Sequence, residues 1–442
     1  MLLASALVGE GAIRRQPTER AFVMTALARS PRYRWVILAA AAASVFGALG
    51  LARFSYTSIL PAMQAGLKLS NTQAGGLATA NLGGYLAMAL VGGALAARLG
   101  ARRVVSAGLF LASSGMLITG LAGAYPQAAT GRVLTGLGSA AANVPAHTLL
   151  ALWFSQRRRG LVTGAATSGA SLGLIVVGPT IPWVIRSFGD SGWRVAWYVL
   201  AAATCFLAIV SLSLLRDRPQ YNLEDHEPPL TGAAASWKRL YLSGSIWHLG
   251  LIYFFFGFAY MIYMTFFTKR LVADIGYSQQ TAGNLFMLLG WASLACGVMW
   301  GWISDVVGRK AAVVMIFLIQ TVAYALFALW ETTAGFALSA VMFGLTAWGI
   351  PAIMAAISGD IFGPVMAPAA YGFLTFFHGL GQSTGPYVAG RMADVLPTFA
   401  PSYLLAAGVA FLGALGTLAL RKRATVHLSE QLSARLEASP PL

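Results

Sequence analysis

Two arginines and three histidines stand inside long apolar runs of this 442-residue sequence, and no acidic residue stands in the middle of such a run. The arginines are Arg53 and Arg132, and the histidines are His147, His248 and His378. A guanidinium offers a fork of donors that matches a carboxylate through two parallel bonds. A histidine titrates near neutral pH. These residue types therefore allow anion binding and, best placed at His378, proton transfer.

Each of these residues also has a structural interpretation. An arginine inside an apolar run can bond the backbone carbonyls of neighbouring segments, and a lone histidine is commonly a neutral packing residue. An intramembrane carboxylate, which commonly neutralises a bound cation, has no obvious position in this sequence. The residue types therefore favour an anion over a cation as the bound solute, and they leave proton transfer at a histidine open.

The elements that must position these side chains are twelve apolar runs, each of about 20 residues or more. The sequence is 57% apolar and only 10% charged, whereas soluble domains carry roughly 25% charged residues. A run of this length crosses ~30 Å of hydrocarbon as an α-helix, which satisfies its own backbone groups in lipid. The runs are 35–62, 74–97, 104–123, 127–152, 161–185, 195–215, 246–268, 281–303, 311–330, 334–357, 368–392 and 399–420. The sequence therefore predicts an all-α integral membrane protein with twelve transmembrane helices.

Signatures of enzymes, cofactors and metals are missing from the sequence. No G-x-x-x-x-G-K-[ST] loop for nucleotide phosphates occurs, and no catalytic or metal-ligand spacing stands out. The two cysteines, Cys205 and Cys296, lie in apolar runs and indicate buried thiols. The net charge of +16 is spread over short loops and tails, so we expect the lipid bilayer rather than nucleic acid as a partner. We predict neither catalytic activity nor a bound cofactor or metal.

The positions of the basic residues predict the orientation in the membrane. With the N-terminus inside, 22 of the 30 lysines and arginines lie in cytoplasmic segments, and two lie in spans. The six in outer segments are Lys68, Arg186, Arg194, Lys269, Arg270 and Arg391. Because cytoplasmic loops carry an excess of lysine and arginine, we predict an inner-membrane protein with both termini in the cytoplasm.

A short charged segment joins two of the runs and has a degraded copy earlier in the chain. Residues 301–310 read GWISDVVGRK, and residues 93–103 read GALAARLGARR, without the aspartate. The leading glycines of the two copies are 208 residues apart. Two Gly-Pro pairs, beginning at Gly178 and Gly385, are 207 residues apart. The offsets of these two markers agree to within one residue, which predicts a duplicated unit of about half the chain.

The segment 301–310 resembles the loop signature of the major facilitator superfamily, G-x-x-x-D-x-x-G-R-[RK], between the second and third helices of each six-helix half. The C-terminal copy is complete, whereas the N-terminal copy has Ala97 in place of the aspartate. The resemblance extends over residues 34–420. Further matches are Arg132 with Gly136 and Gly138 in the fourth run, and Gly173 with Gly178-Pro179 in the fifth. Within the superfamily, the stretches 50–54 and 74–85 are similar to the YbfB/YjiJ-type branch.

The resemblance implies two six-helix halves of the same orientation, related by pseudo-symmetry about an axis along the membrane normal. The predicted units are a basic cytoplasmic leader at 1–33, an N-terminal half at 34–215, a cytoplasmic connector at 216–245, a C-terminal half at 246–420 and a cytoplasmic tail at 421–442. The sequence leaves open whether Met1 or Met24 begins the chain. We expect a monomer.

The function that the resemblance implies is secondary active transport of a small solute by alternating access, with a proton as a candidate coupling ion. Buried arginines without intramembrane carboxylates favour an organic anion or another solute that bears a carboxylate. Two alternatives stay open from the sequence. One is a broad-specificity exporter of drugs or sugars, and the other is a transporter-like membrane protein that acts as a sensor or assembly partner.

The resemblance also implies where the solute binds. The first helix lines the central cavity in this fold, which favours Arg53 as the anion ligand over Arg132, whose position often holds a structural hydrogen-bond hub. The half-chain offset carries Arg53 to about Met261–Tyr263. The predicted solute-binding residues are Arg53, Asn81, Tyr85, Arg132, Asn143, Tyr260, Tyr263, Trp348, His378 and Gln382.

The charged loop is the predicted gate. The carboxylate of Asp305 can cap a neighbouring helix N-terminus or pair with Arg309, with bonds that form in one conformation only. The alternative is a solvated charge at the membrane surface. The predicted gating residues are Gly301, Asp305, Gly308 and Arg309 in the C-terminal copy, and Arg98 and Arg102 in the N-terminal copy.

Overall fold

The structure is a computed structural model, and it describes residues 32–155, 159–217 and 243–420. The predicted tail and nearly all of the predicted leader and connector lie outside the described residues. Within the described ranges the chain is helical and contains no strand. This confirms the all-α prediction.

Six helices make up the described part of the N-terminal half, and seven helical segments make up that of the C-terminal half. The first six are α1 Tyr33–Leu67, α2 Asn71–Leu99, α3 Ala101–Leu121, α4 Tyr125–Trp153, α5 Arg159–Phe188 and α6 Gly192–Leu214. The others are α7 Gly244–Lys269, which continues into a π-helical end at Arg270–Asp274, α8 Gln279–Ser293, α9 Cys296–Val307, α10 Arg309–Leu329, α11 Thr333–Gly344, α12 Gly349–Val395 and α13 Ala400–Ala419.

By length and hydropathy, eight described segments qualify as membrane spans, or nine if α8 and α9, which meet at a bend of 43°, form one broken span. One of the eight, Gly160–Leu214, contains both α5 and α6. Another, Thr333–Phe362, joins α11 to the start of α12. The multi-pass membrane architecture is confirmed, while the number twelve stays a prediction.

Helix α1 winds as a π-helix over Phe46–Phe54, between two α-helical parts. π-helical turns are rare and occur frequently at functional sites. This stretch packs closely on α5, because a Cβ on Gly50 would lie only 2.6 Å from the Cα of Gly173. It also carries Arg53, so the π-helical turns set the direction in which this arginine points.

The C-terminal half contains two broken helices, and side chains of one satisfy free backbone groups at the break of the other. Helix α8 stops before α9, and α11 stops before α12. The Sγ of Cys296 accepts the N–H of Trp348 at 3.2 Å, and the Nε1 of Trp300 donates to the carbonyl of Leu345 at 2.7 Å. Because unpaired backbone groups are costly in lipid, Cys296 and Trp300 of α9 stabilise the break between α11 and α12.

Every residue of α12 is helical, but the helix turns back on itself and so has two arms. The hydroxyl of Tyr371 donates to the carbonyl of Pro351 at 3.5 Å. Residues so far apart in sequence would be separated by ~30 Å in a straight α-helix. The first arm is the later part of the tenth predicted run, whose earlier part is α11, and the second arm corresponds to the eleventh run. Pro364 and Pro368, which lack a backbone N–H, lie between the arms.

The two halves meet along two seams, one between α2 and the second arm of α12 and one between α5 and α8. At one end of the molecule, the closed end, both seams are tight. A Cβ on Gly75 would overlap the backbone of Pro386, and a Cβ on Gly178 would overlap that of Gly283. At the opposite end, the open end, the α2 seam is wider: a Cβ on Gly92 of α2 meets no atom of the described chain within 4 Å, whereas a Cβ on Gly164 of α5 would still lie 3.3 Å from the side chain of Val298 in α9. The large exposed side chains of α2 at this end are Leu90, Val91, Leu95 and Leu99.

Candidate functional site

Arg53 lies between the two halves, midway along α1. Its Nη2 donates to the Oε1 of Gln382 on α12 at 2.9 Å and lies 3.7 Å from the Sδ of Met261 on α7. The guanidinium carbon lies 5.2 Å from the ring centre of Tyr85 and 5.5 Å from that of Phe54. Arg53 is only 8% exposed, and its Nε has no hydrogen-bond partner among the described residues. A buried cation held by neutral groups and aromatic faces can accept an anion.

Helices α1 and α7 cross at equivalent positions of the two halves. Met261 is separated from Arg53 by 208 residues, the offset between the two charged segments. Near this contact, the hydroxyl of Thr57 donates to the carbonyl of Met264, 207 residues away, at 2.6 Å. The duplication therefore places a thioether in the C-terminal half where the N-terminal half has the arginine.

Aromatic side chains form one wall beside Arg53. The ring of Trp348 packs on that of Phe54 at 5.7 Å and on that of Tyr260 at 6.0 Å. Its Nε1 donates to the Oγ of Ser171 on α5 at 3.1 Å, and Ser293 on α8 donates to the same oxygen at 2.8 Å. Trp348 is therefore bonded across the seam between α5 and α8, next to the arginine.

Polar groups lie on the other side of the guanidinium. The Nδ2 of Asn143 donates to the hydroxyl of Tyr85 at 2.8 Å, while its Oδ1 has no partner among the described residues. His378 precedes Gln382 by one helical turn, and its ring is stacked 4.3 Å from that of Tyr253. The Nδ1 of His378 is also unpartnered in the described part of the chain. Polar tips between apolar walls suit a small-molecule site.

Three predicted solute-binding residues lie inside a half rather than between the halves. Arg132 is 1% exposed, and its Nη1 donates to the carbonyl of Ala52 at 3.1 Å. Asn81 donates to the carbonyl of Arg132 at 3.1 Å. Tyr263 is fully buried among aromatic rings of the C-terminal half. These contacts match the structural interpretation of Arg132, and the binding roles of the three residues stay predictions.

The loop between α9 and α10 contains the predicted gate. The Oδ1 of Asp305 pairs with the Nη1 of Arg309 at 2.5 Å, and Arg309 also reaches Asp360 at 3.4 Å and Ser304 at 2.6 Å. All of these partners belong to the C-terminal half. Gly308 turns the chain with a φ of 90°, which residues with a side chain rarely adopt. In this conformation the loop is held together within one half.

The N-terminal copy of the loop keeps the turn but not the ion pair. Gly100 has a φ of 89°, close to the value at Gly308. The Nε of Arg102 donates to the carbonyl of Leu212 at 2.7 Å, and its backbone N–H donates to Asp217 at 2.8 Å. The equivalent Lys310 donates to two carbonyls at the end of α13, at 2.7 and 2.8 Å. Arg102 and Lys310 therefore cap the last helix of their own half.

The other two predicted gating residues make no contact that defines a role in this conformation. Arg98 is exposed on the last turn of α2. A Cβ on Gly301 would meet no described atom within 4 Å. Their gating roles stay predictions.

Arg270, which the charge count places in an outer loop, is instead fully buried at the closed end of the C-terminal half. It pairs with Asp274 at 3.3 Å and Glu331 at 3.0 Å, and it donates to two carbonyls at the end of α10. Asp274 in turn accepts the N–H of Phe399 at 2.7 Å, just before α13. The spacing of Arg270 and Asp274, one helical turn apart, is the sequence feature that indicates such a pair.

Metal-binding geometry is not found in the ranges that the structure describes, since no three His, Cys, Asp or Glu side chains cluster there. The site between the halves consists of one guanidinium, one imidazole, amides, hydroxyls and aromatic rings. This set is suited to hydrogen bonding an organic solute.

A comparison with protein families matches residues 45–418 to the family described as uncharacterised MFS-type transporter YbfB. The match begins one residue before the π-helical part of α1 and ends in the last turn of α13. It therefore includes both halves, as the loop and helix signatures predict.

Curated relatives are named as transporters. The chain is 24% identical over 391 residues to the hexuronate transporter of Bacillus subtilis (strain 168), covering 83% of this chain and 90% of that protein. It is 26% identical over 321 residues to monocarboxylate transporter 12 of Xenopus laevis, covering 67% of this chain and 68% of that protein.

Solved structures share the fold. A D-xylose-proton symporter superposes with a TM-score of 0.71 at 17% identity, covering 90% of this chain and 99% of that one. A bacterial homolog of the human lysosomal transporter Spinster, in an inward-facing and unoccupied conformation, gives a TM-score of 0.67 at 17% identity, covering 89% and 100%. At these identities the likeness shows the fold alone.

Proposed function

We propose that this chain, which belongs to the YbfB-type family of major facilitator superfamily transporters, moves a small solute with a carboxylate group across the membrane by alternating access. The observation that carries the proposal is Arg53. It is a buried guanidinium between the halves, and its described hydrogen-bond partners, Gln382 and Met261, are neutral. The names of the hexuronate and monocarboxylate relatives support a carboxylate-bearing solute.

A solute carboxylate competes with Gln382 for Arg53. Hydrogen bonds between charged groups are roughly twice as strong as those between neutral ones, and a carboxylate can accept two in parallel. The amide oxygen of Gln382 therefore gives way to the solute. Because Arg53 belongs to α1 and Gln382 to α12, this exchange changes a bond between the two halves. Binding and the relative position of the halves are linked through that bond.

The rest of the solute lies against the aromatic and amide groups around the arginine. Trp348 and Tyr260 offer ring faces, and Tyr85 with Asn143 offers hydrogen-bonding groups. His378 is the candidate for a coupling proton, because its Nδ1 is unpartnered within the described ranges and it precedes Gln382 by one turn. Asp305 is the candidate gate at the open end.

In the membrane, the closed end faces outward and the open end faces the cytoplasm. The distribution of lysine and arginine supports this orientation in the inner membrane, with both termini inside. In this orientation the described conformation is inward-facing. A monomer of two halves is sufficient for this mechanism.

The test uses two sugars that differ by a carboxylate, D-glucuronate and D-glucose, together with pyruvate. The full chain is reconstituted in nanodiscs for binding and in proteoliposomes for flux. We expect the parent to bind one of the two acids and to discriminate against D-glucose. Arg53→Lys keeps the charge but loses the fork, so we expect acid binding to weaken by about 1–3 kcal/mol, or roughly 5- to 150-fold.

Arg194→Lys is the matched control, because Arg194 bonds carbonyls at the closed end and lies outside the site. Its acid affinity should equal that of the parent. Equal acid affinity of the parent and a folded Arg53→Lys protein would overturn the role of Arg53. Preference for D-glucose would favour the sugar exporter, and acid binding without flux would favour the sensor.

A further inference from the structure

At the closed end, a carboxylate of the C-terminal half lies on the N-terminus of α2 in the N-terminal half. The Oδ1 of Asp394 accepts the backbone N–H of Asn71 at 2.8 Å. Its Oδ2 accepts the backbone N–H of Thr72 at 2.8 Å and the hydroxyl of Thr72 at 2.5 Å. A helix N-terminus carries unpaired N–H groups and partial positive charge, so it favours an anion. These bonds connect the second arm of α12 to α2.

The N-terminus of α2 is otherwise capped by its own residues. Ser70 and Gln73 form a capping box, in which the Ser70 hydroxyl accepts the Gln73 N–H at 3.1 Å. The N–H of Ala74 reaches the Ser70 carbonyl at 3.0 Å. The N–H groups of Asn71 and Thr72 remain, and these are the two that Asp394 accepts. The cap of α2 is thus completed only by the other half.

The surroundings of Asp394 keep the carboxylate close and charged. The Nδ2 of Asn71 donates to the carbonyl of Ala393 at 3.0 Å, and a Cβ on Gly390 would overlap the Asn71 carbonyl. Partial desolvation acts to raise the pKa of Asp394. The hydrogen bonds from Thr72 and Asn71 outweigh it, so the pKa lies below its usual value. Asp394 is therefore an anion at neutral pH.

The seam between α5 and α8 is different. Among the described residues, no carboxylate of one half bonds a helix N-terminus of the other half at this seam. Its helix N-terminus, at α8, is capped by Ser278, which lies 208 residues after Ser70. The residue 207 positions before Asp394 is Ser187, whose hydroxyl bonds the carbonyl of Trp183 in its own helix at 2.9 Å. Between the end of α5 and the start of α8 lies a cavity of about 260 Å³. Among the described residues, the carboxylate that connects the halves at the closed end is therefore found at the seam between α2 and α12, and the seam between α5 and α8 has no equivalent.

We propose that Asp394 is the latch of the closed end, with bonds to Asn71 and Thr72 that hold the halves together in this conformation and break when this end opens. This role goes beyond the proposed function and does not depend on the identity of the solute. An interaction made in one conformation alone shifts the balance of conformations by its own free energy. Loss of the latch therefore raises the population in which the closed end is open.

The test measures a distance across the closed end of the full chain in nanodiscs. Spin labels are placed at Lys68→Cys on the N-terminal half and Ala273→Cys on the C-terminal half, after replacement of Cys205 and Cys296. We expect the unliganded parent to show mainly one short distance. Asp394→Ala should add a longer distance whose population is several-fold larger than in the parent, and Asp394→Asn should lie between the two.

A second variant removes two donors of the N-terminal half, the N–H and the Nδ2 of Asn71, without removing the acid. Asn71→Pro deletes the N–H at the first position of α2, where proline is well tolerated, and the preceding Ser70 already has the extended backbone that proline requires. We expect a shift in the same direction but smaller than for Asp394→Ala. In the double variant, Asn71→Pro should add less than it does alone, because the N–H of Asn71 has already lost its acceptor in Asp394→Ala.

Asp190→Ala is the control, since Asp190 is an exposed acid in the turn between α5 and α6 at the same end. Its distances should match those of the parent. The proposal is overturned if Asp394→Ala, or Asn71→Pro should the former fail to fold, leaves the distances unchanged. It is equally overturned if Asp190→Ala opens the closed end as much as Asp394→Ala does.

Discussion

At the closed end, the N-terminal half bonds the last carbonyls of α3 through Arg194, and the C-terminal half bonds those of α10 through Arg270. Arg194 donates to Gly120 at 2.8 Å and to Ala122 at 2.7 Å from the start of α6. Arg270 does so from the end of α7 and has two carboxylate partners as well. The two halves therefore secure the same helix end from different helices.

At the interface the halves differ in another way. Arg53, Asp305 and Asp394 are charged, whereas the equivalent positions hold Met261, Ala97 and Ser187. Contacts that stabilise each half are thus present twice, while the charges proposed to bind the solute and latch the two ends are present once. A solute with one carboxylate end has no symmetry of its own, so a single arginine is sufficient. The following changes test this division between duplicated and unique residues.

The largest expected effect is on the stability of the C-terminal half. Arg270→Gln leaves Asp274 and two carbonyls without their buried cation, and breaking a buried pair costs about 3–5 kcal/mol. Arg194→Gln removes two hydrogen bonds from a partly exposed side chain, at about 1–2 kcal/mol. Thermal unfolding followed by tryptophan fluorescence measures both. If the two variants lose the same free energy of unfolding, Asp274 and Glu331 add no stability beyond the bonds of Arg270 to the end of α10.

A smaller effect is expected at the gate. Asp305 is 62% exposed, so Asp305→Asn should change the free energy of unfolding by less than about 1 kcal/mol. If its bonds differ between conformations, flux in proteoliposomes should fall about tenfold, which corresponds to about 1.4 kcal/mol. Ala97→Asp, at the equivalent position, should leave flux nearly unchanged because Ala101 provides no arginine partner. Full turnover of Asp305→Asn would instead mean a solvated surface charge.

The smallest expected effect concerns the capping residues of the open end. Arg102→Gln and Lys310→Gln each remove a cation from the last carbonyls of α6 or α13. We expect losses in unfolding free energy of about 0.5–1 kcal/mol for each, since both side chains are partly exposed. Thermal unfolding of the two variants side by side checks whether the sites are equivalent. A loss several times larger at one site would show that only that half depends on its cap.

Much of the architecture could be predicted from the sequence because lipid imposes long apolar helices, and because the duplication repeats its markers at nearly one offset. That offset carries Arg53 to about Met261–Tyr263, and the structure shows in addition that Met261 contacts Arg53. The π-helical stretch of α1 could not be predicted, since no residue pattern distinguishes it from the surrounding helix.

The sequence places Arg270 in a loop because it follows an apolar run, and only the packing of α7 shows its burial. The contact of Asp394 with Thr72 exists only when the halves are in this relative position.

The π-helical stretch of α1 has a consequence for how the arginine can be changed. A π turn accommodates about one residue more than an α turn, and each residue of an α-helix advances the direction of its side chain by about 100°. The direction of Arg53 therefore depends on the number of residues between Phe46 and Phe54 as well as on its rotamer. Wound with α-helical spacing, the same nine residues would turn further and carry Arg53 to a different face of α1. The winding of this stretch, and not only its residue types, therefore sets the direction of Arg53.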